Sequence, residues 1–346
     1  MAILMFAVST LISGKLQKKI GPRKVATIGG LLYGSGVLLT SFATTLPMIY
    51  ITYGVIAGVG VGFAYVCPLA TLVKWFPNNK GAITGVAVGA FGLGSLIFKP
   101  IIMTLLDKVG VSSTFLYLGI IYLVLCTIGA QLFSEPKVQA TGTKVSTDEE
   151  FSIKEMIKTP AFYMLWVLFL VGCTPGLLVI GLAKDIGIDF VNLTPEVAAG
   201  AVGLIAIFNT VGRLASGAAS DKFGRINVII ALFVITTASL SILIFTSLNA
   251  FLLFTALAGI AIGYGGLLAV IPPLVGEFYG VNNLGTNYGI VFQAYGIAAL
   301  LGPIIKGNLE FKETFIVSGI VSIVGLALAV IIKRPIKETV SLKKTA

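Results

Sequence analysis

The sequence predicts an all-α integral membrane protein made of two pseudo-symmetric helix bundles, and three observations carry that expectation. Of 346 residues, 57% are hydrophobic and only 11% charged, against roughly 25% charged in a soluble domain. Apolar stretches of spanning length, about 20 residues, follow one another along the chain. Three blocks of sequence recur in order at offsets of 201 to 204 residues, a duplication that builds two like halves.

The elements follow in chain order. A short apolar stretch, 1–14, opens the chain. Full spans are expected at 25–46, 48–73, 82–106, 113–133, 161–183, 195–219, 226–248, 250–275, 284–305 and 314–332. One long polar stretch, with a Thr-rich run and Asp148-Glu149-Glu150, separates them into two groups. The expected organisation is an N-terminal bundle over 1–133, a cytoplasmic linker over 134–160, a C-terminal bundle over 161–333 and a basic cytoplasmic tail over 334–346.

The net charge of +10 has a topological explanation. With 15–24 placed in the cytoplasm, alternate loops put 18 Lys and Arg on that side and 4 on the other, the asymmetry of the positive-inside rule. The expected location is therefore the cell membrane, multi-pass, with a cytoplasmic C-terminus, and no nucleic-acid partner is needed. Cys67, Cys126 and Cys173 fall in separate apolar segments without CxxC spacing and read as core residues. Histidine is absent, which removes HExxH zinc sites, Ser-His triads and histidine proton relays. No metal, cofactor or catalytic residue is expected.

The repeat is specific. Ser13-Gly14-Lys15-Leu16-Gln17-Lys18-Lys19-Ile20-Gly21 aligns with Ser216-Gly217-Ala218-Ala219-Ser220-Asp221-Lys222-Phe223-Gly224 at an offset of 203. Residues 57–63 align with 258–264 at 201, and Asn78, Asn79, Gly81, Gly85, Ala90, Gly92 and Leu96 recur as Asn282, Asn283, Gly285, Gly289, Ala294, Gly296 and Leu300 at 204. The second half begins with a span that has no partner in the first. On that arithmetic about 11 of 12 helices are present, Met1 lies within a helix, and about 40 to 50 residues would precede it.

Two like halves, a long polar loop between them, and G-xxx-D-xx-G-R at Gly217, Asp221, Gly224 and Arg225 resemble the major facilitator superfamily. Gly14 and Gly21 hold the same spacing, followed by Arg23 and Lys24, but Lys18 stands where the pattern has Asp. The resemblance implies that the motif acid docks on a neighbouring helix end and stabilises one conformation; the first copy lacks that acid. Segments 21–36, 209–225 and 285–303 resemble the oxalate:formate antiporter branch, which includes monocarboxylate carriers. Oxalate-transporting members carry an arginine in the eighth helix, matching Arg213, and a lysine in the eleventh, where Tyr295 stands.

Arg213 is the strongest single signal. It lies about 12 Å from Asp221 and about 25 Å from Glu196 along one helix, and a guanidinium at that depth costs at least about 2.5 kcal/mol. No acid lies mid-span to offset it, so a substrate carboxylate, held by the planar fork, is the expected partner. The alternatives are backbone carbonyls or an acid outside the sequence. Asn209 precedes it by one turn and would add a hydrogen bond. Lys99 is a second candidate cation, with snorkelling to the interface as the plain alternative. Tyr288, Phe292 and Tyr295 share one face and, with Gln293, would form a wall around a small carboxylate; ordinary helix packing is the alternative.

The reading that follows is a secondary carrier, acting as a monomer in the lipid bilayer, that moves small organic anions by alternating access, monocarboxylates such as formate, lactate or pyruvate first and oxalate as the alternative. Antiport is expected, with proton symport, a transporter-like sensor and a non-functional fragment as alternatives. No GxxxxGK[ST] sequence is present, and a membrane enzyme would lack the base or metal ligands it needs.

Overall fold

The computed structural model describes residues 1–136 and 150–337; the Thr-rich run, Asp148, Glu149 and most of the expected basic tail lie outside them. Among the described residues the regular structure is helical: α1 (Ala2–Ile20), α2 (Pro22–Thr40), α3 (Leu46–Trp75), α4 (Lys80–Gln131), α5 (Ile153–Met156), α6 (Pro160–Phe190), α7 (Pro195–Phe223), α8 (Arg225–Phe245), α9 (Ala250–Tyr279), α10 (Leu284–Asn308) and α11 (Phe311–Ile331). Eight of these are long and apolar enough to cross a membrane. Helices α1–α4 form one group and α6–α11 the other.

Local chemistry sets the boundaries. Gly21 and Gly224, equivalent in the repeat, both have positive φ, +83° and +86°. They turn the chain sharply from α1 into α2 and from α7 into α8, a conformation glycine adopts without steric cost. Thr159 caps α6 by accepting the Phe162 N–H, with Pro160 at the first helical position. Within the linker, Ser152 and Glu155 close a capping box over α5. Hydrogen bonds from the Ser152 backbone and hydroxyl hold the Glu155 carboxyl below its ordinary range.

Two expected boundaries differ from those observed. The segment expected to end at 106 and restart at 113 is helical on both sides of one residue, Gly110, whose φ of +74° breaks α4 into two arms. A single left-handed glycine reverses the chain, so no polar loop was needed. The arms fold back on each other, Phe98 against Tyr122 at 4.9 Å between ring centroids. Conversely, the span expected at 284–305 is interrupted at Phe292, between Leu284–Val291 and Gln293–Asn308.

The repeat has a structural counterpart in how the two groups touch. Helix α4 crosses α7 at Gly81 and Gly217: a methyl on Gly217 would lie 2.5 Å from the Gly81 carbonyl oxygen. Helix α1 crosses α10 at the equivalent pair, where a methyl on Gly14 would lie 2.1 Å from the Gly285 carbonyl oxygen. Backbone meets backbone at both crossings, a separation only small residues allow. Both lie at the end that carries the linker. Farther from it, Gly94 on α4 and Gly200 and Gly203 on α7 have nothing within 4 Å of such a methyl.

These contacts set an expectation for stability. Gly217→Ala forces backbone apart, an overpacking cost of about 1–3 kcal/mol, and is expected to lower the thermal midpoint of the purified protein by several degrees. Gly203→Ala, with open space around it, is expected not to lower it. Equal effects of the two in a fluorescence melt would contradict the crossing.

Candidate functional site

Glycines on α4 make room for the charged centre. Gly81, Gly85, Gly89 and Gly92 line the face toward α7, and a methyl on Gly92 would lie 3.3 Å from Arg213 Nη1. Arg213 is 6% exposed. Its Nη1 donates to the Val88 carbonyl across the two groups at 2.7 Å, while Nε is buried without a hydrogen-bond partner. A backbone carbonyl carries no formal charge, so the guanidinium stays uncompensated among its described neighbours. An orphaned buried donor of this kind costs about 1–3 kcal/mol.

An aromatic cluster fills the centre between the halves. Phe6 of α1 and Tyr65 of α3 stack edge to face at 5.0 Å, and Phe91 of α4 lies 5.6 Å from Tyr65. From the other half, Phe292 meets Phe6 at 5.0 Å, and Tyr295 packs on Phe292 at 4.9 Å. The Tyr295 hydroxyl lies 3.0 Å from that of Tyr264 on α9. Tyr65, Tyr264 and Tyr295 all lie within electrostatic reach of Arg213. The structure thus brings Tyr288, Phe292 and Tyr295 into one cluster, and adds Phe6, Tyr65, Phe91 and Tyr264, which sequence reasoning missed. Tyr264 had a signal, since it closes the repeated block opposite Phe63; the other three are lone aromatics in apolar runs.

The remaining candidate residues are engaged elsewhere. The Asn209 amide donates to the Ala261 carbonyl of α9 at 3.4 Å, so its reach is toward that helix. Gln293 donates to the Ala7 carbonyl of α1 and the Gly289 carbonyl of its own helix, both at 2.7 Å, and so joins the halves at the break in α10. Lys99 is exposed and lies seven residues, about 10 Å, beyond Gly92 along the helix. A cavity of about 620 Å³ opens at the linker end, lined by Lys74, Lys80, Glu150, Glu277 and Arg334 among others. Its walls carry both signs of charge and Arg213 is not among them, so it is distinct from the aromatic centre.

At the motif residues the geometry is well defined. The Asp221 carboxylate accepts the N–H groups of Gly81 at 2.8 Å and Ala82 at 2.7 Å, capping the start of α4 from the other half. Arg225 holds Asp221 at 3.3 Å and Glu277 at 2.5 Å. At the equivalent place in the first copy, Lys18 donates to the side-chain oxygen of Asn283, the residue preceding α10. Arg23 donates to the Phe133 carbonyl, and Gly14 forms the α10 crossing already described.

Two helix groups related by an internal repeat, crossing at paired glycines around a membrane-depth cation, define a membrane transporter architecture. The sequence profile of the Major Facilitator Superfamily matches residues 1–218 and 174–346, and the chain belongs to that family of multi-pass membrane transporters. An uncharacterised MFS-type transporter, YhjX of Escherichia coli (strain K12), is 40% identical over 295 residues, spanning 85% of this chain and 73% of that protein. The oxalate:formate antiporter of Oxalobacter formigenes is 30% identical over 347 residues, spanning 95% and 81%. The crystal structure of the transporter FucP in the outward conformation superposes with a TM-score of 0.72 at 15% identity, covering 96% of this chain and 89% of that one.

The double cap on α4 gives a second expectation. Asp221→Asn keeps the shape but loses the charge and one of the two accepted hydrogen bonds, a change of about 1–3 kcal/mol. The thermal midpoint should fall by several degrees, and Asp221→Ala should lower it at least as far. An unchanged melt for both would show that the cap carries no energy.

Proposed function

We propose that this chain is a secondary carrier in the cell membrane, its C-terminus cytoplasmic, that exchanges small monocarboxylates by alternating access. The observation that supports it most is Arg213: a guanidinium deep in a span, with a carbonyl on one nitrogen, an orphaned Nε, and aromatic walls around it. A carboxylate supplies the missing charge and accepts from the fork. A relative is named as an oxalate:formate antiporter, and formate is a monocarboxylate of this class.

Charge counting favours a monoanion. One deep cation neutralises one carboxylate, whereas a dianion keeps a net charge in a low-dielectric site, at a cost of several kcal/mol. Tyr295 and Tyr264 offer hydroxyls there instead of a second cation. Lys99 lies too far along α4 to face Arg213 in this arrangement. Exchange needs no titrating acid, and the carboxylates within the described spans sit near helix ends. In this reading Asp221 and the glycine crossings hold the cytoplasmic end closed, and the empty surroundings of Gly94, Gly200 and Gly203 belong to an outward-facing state.

Counterflow in proteoliposomes tests the proposal. Labelled formate or lactate should accumulate against unlabelled internal substrate, and Arg213→Lys should reduce uptake more than tenfold while membrane expression stays near normal, because a point charge does not replace the fork. Oxalate should compete poorly in the wild type and better in Tyr295→Lys. Full transport in Arg213→Lys and Arg213→Ala would sink the role of the guanidinium.

A further inference from the structure

The two glycine crossings are equivalent in backbone and different in chemistry. At the crossing of α4 and α7, Asp221 reaches across and accepts two backbone N–H groups. The repeat puts Lys18 in the corresponding place at the crossing of α1 and α10. An ammonium has no acceptor, so it cannot cap a helix start. What it meets is the side-chain oxygen of Asn283.

That oxygen faces Lys18 because the rest of the Asn283 amide is held by the linker. Asn283 Nδ2 donates to the Phe151 carbonyl at 2.8 Å, and Asn287 Nδ2 donates to the same carbonyl at 3.0 Å. The Phe151 N–H is tied to the Tyr279 carbonyl, and its ring packs edge to face on Tyr279 at 5.4 Å. One residue earlier, Glu150 Oε1 accepts the Asn282 N–H at 3.0 Å. The carboxyl lies against Gly280, where a methyl would come within 2.3 Å of its carbon. Lys337 fastens the same segment from the tail, donating to the Glu150 carbonyl at 2.6 Å and pairing with Glu155 at 3.4 Å.

We propose that Glu150 and Phe151, at the end of the linker, are positioning residues for closure of the cytoplasmic end: they hold the Asn282–Asn283 segment so that the Asn283 side-chain oxygen is aimed at Lys18, and that tie stands where the first motif copy lacks its acid. The linker thereby serves as part of a paired lock. One crossing is held by an acid on α7. Its twin is held by a cation on α1 and an amide oxygen that the connecting segment fixes in place. The two halves are then coupled through the linker's docked end as well as through helix contact.

The inference rests on the alternating-access reading, and one experiment separates the two. In a background with Cys67, Cys126 and Cys173 replaced by Ser, Thr286→Cys places a reporter in the α1–α10 crossing, where Thr286 is buried. Its alkylation by a membrane-impermeant maleimide is followed in inside-out vesicles without substrate. Asp221→Asn should speed labelling, showing that the reporter senses opening. Glu150→Gln and Lys18→Met should each speed it by about tenfold, the scale of one charged hydrogen bond. The double variant should exceed neither single by more than about twofold, since both remove one interaction. Lys337→Met, at a half-buried position, should act in the same direction and does not depend on Glu150 variants folding.

Labelling at the wild-type rate in Glu150→Gln and Lys337→Met, while Asp221→Asn is fast, would overturn the linker's role and leave alternating access standing. So would multiplicative effects of Lys18→Met and Glu150→Gln. Slow labelling in every variant, Asp221→Asn included, would instead remove the alternating-access reading itself.

Discussion

A guanidinium inside a bilayer span is the constraint on which the centre of this structure depends. Arg213 cannot be accommodated beside ordinary side chains, because its fork needs space and its N–H groups need acceptors. The glycines of α4 provide the space, and the Val88 carbonyl provides one acceptor. Arg213 is buried near tyrosines of both halves, and burial strengthens its remaining electrostatic interactions. Among the described residues no acid pairs with it. A bound anion would be held chiefly by that deficit.

The same glycines serve the fold and the motion proposed for it. Where backbone meets backbone, there are no long side chains to interlock, and the contact rests on a few polar ties: Asp221 on the start of α4, Lys18 on Asn283, Gln293 on Ala7. Such ties are strong enough to define a state and few enough to be broken together. Duplication explains why the crossings are equivalent in position. Divergence explains why their polar chemistry is not, and Lys18 is the residue at which the copies part.

Much of this was legible in one dimension. Hydropathy reports how long a segment stays apolar, so the spans were placed within a few residues. The glycine spacing survived because it is a backbone requirement: Gly21 and Gly224 need positive φ, and Gly14, Gly81, Gly217 and Gly285 need the absence of a side chain. The break between 106 and 113 was legible, and what the sequence did not show is that a single residue, Gly110, makes the turn while helix continues on both sides of it. Asn209 and Gln293 show the limit for side chains. Helical spacing placed them near Arg213 or the aromatic face, but which carbonyl takes their protons depends on the neighbouring helix, which sequence spacing does not contain. Phe6, Tyr65 and Phe91 converge only in three dimensions. Phe151 looked like part of a polar connection, and its docking under α10 is a tertiary event.

The claim at the centre is that the site is short of one negative charge, and ligand-induced stabilisation of the purified protein measures that directly. Thermal melts are compared with saturating lactate and with lactamide, which has nearly the same shape and no charge. A rise of several degrees with lactate, little with lactamide, and none with either in Arg213→Ala is the result the account predicts. Equal stabilisation by the acid and the amide, or stabilisation by lactate that survives Arg213→Ala, would contradict it.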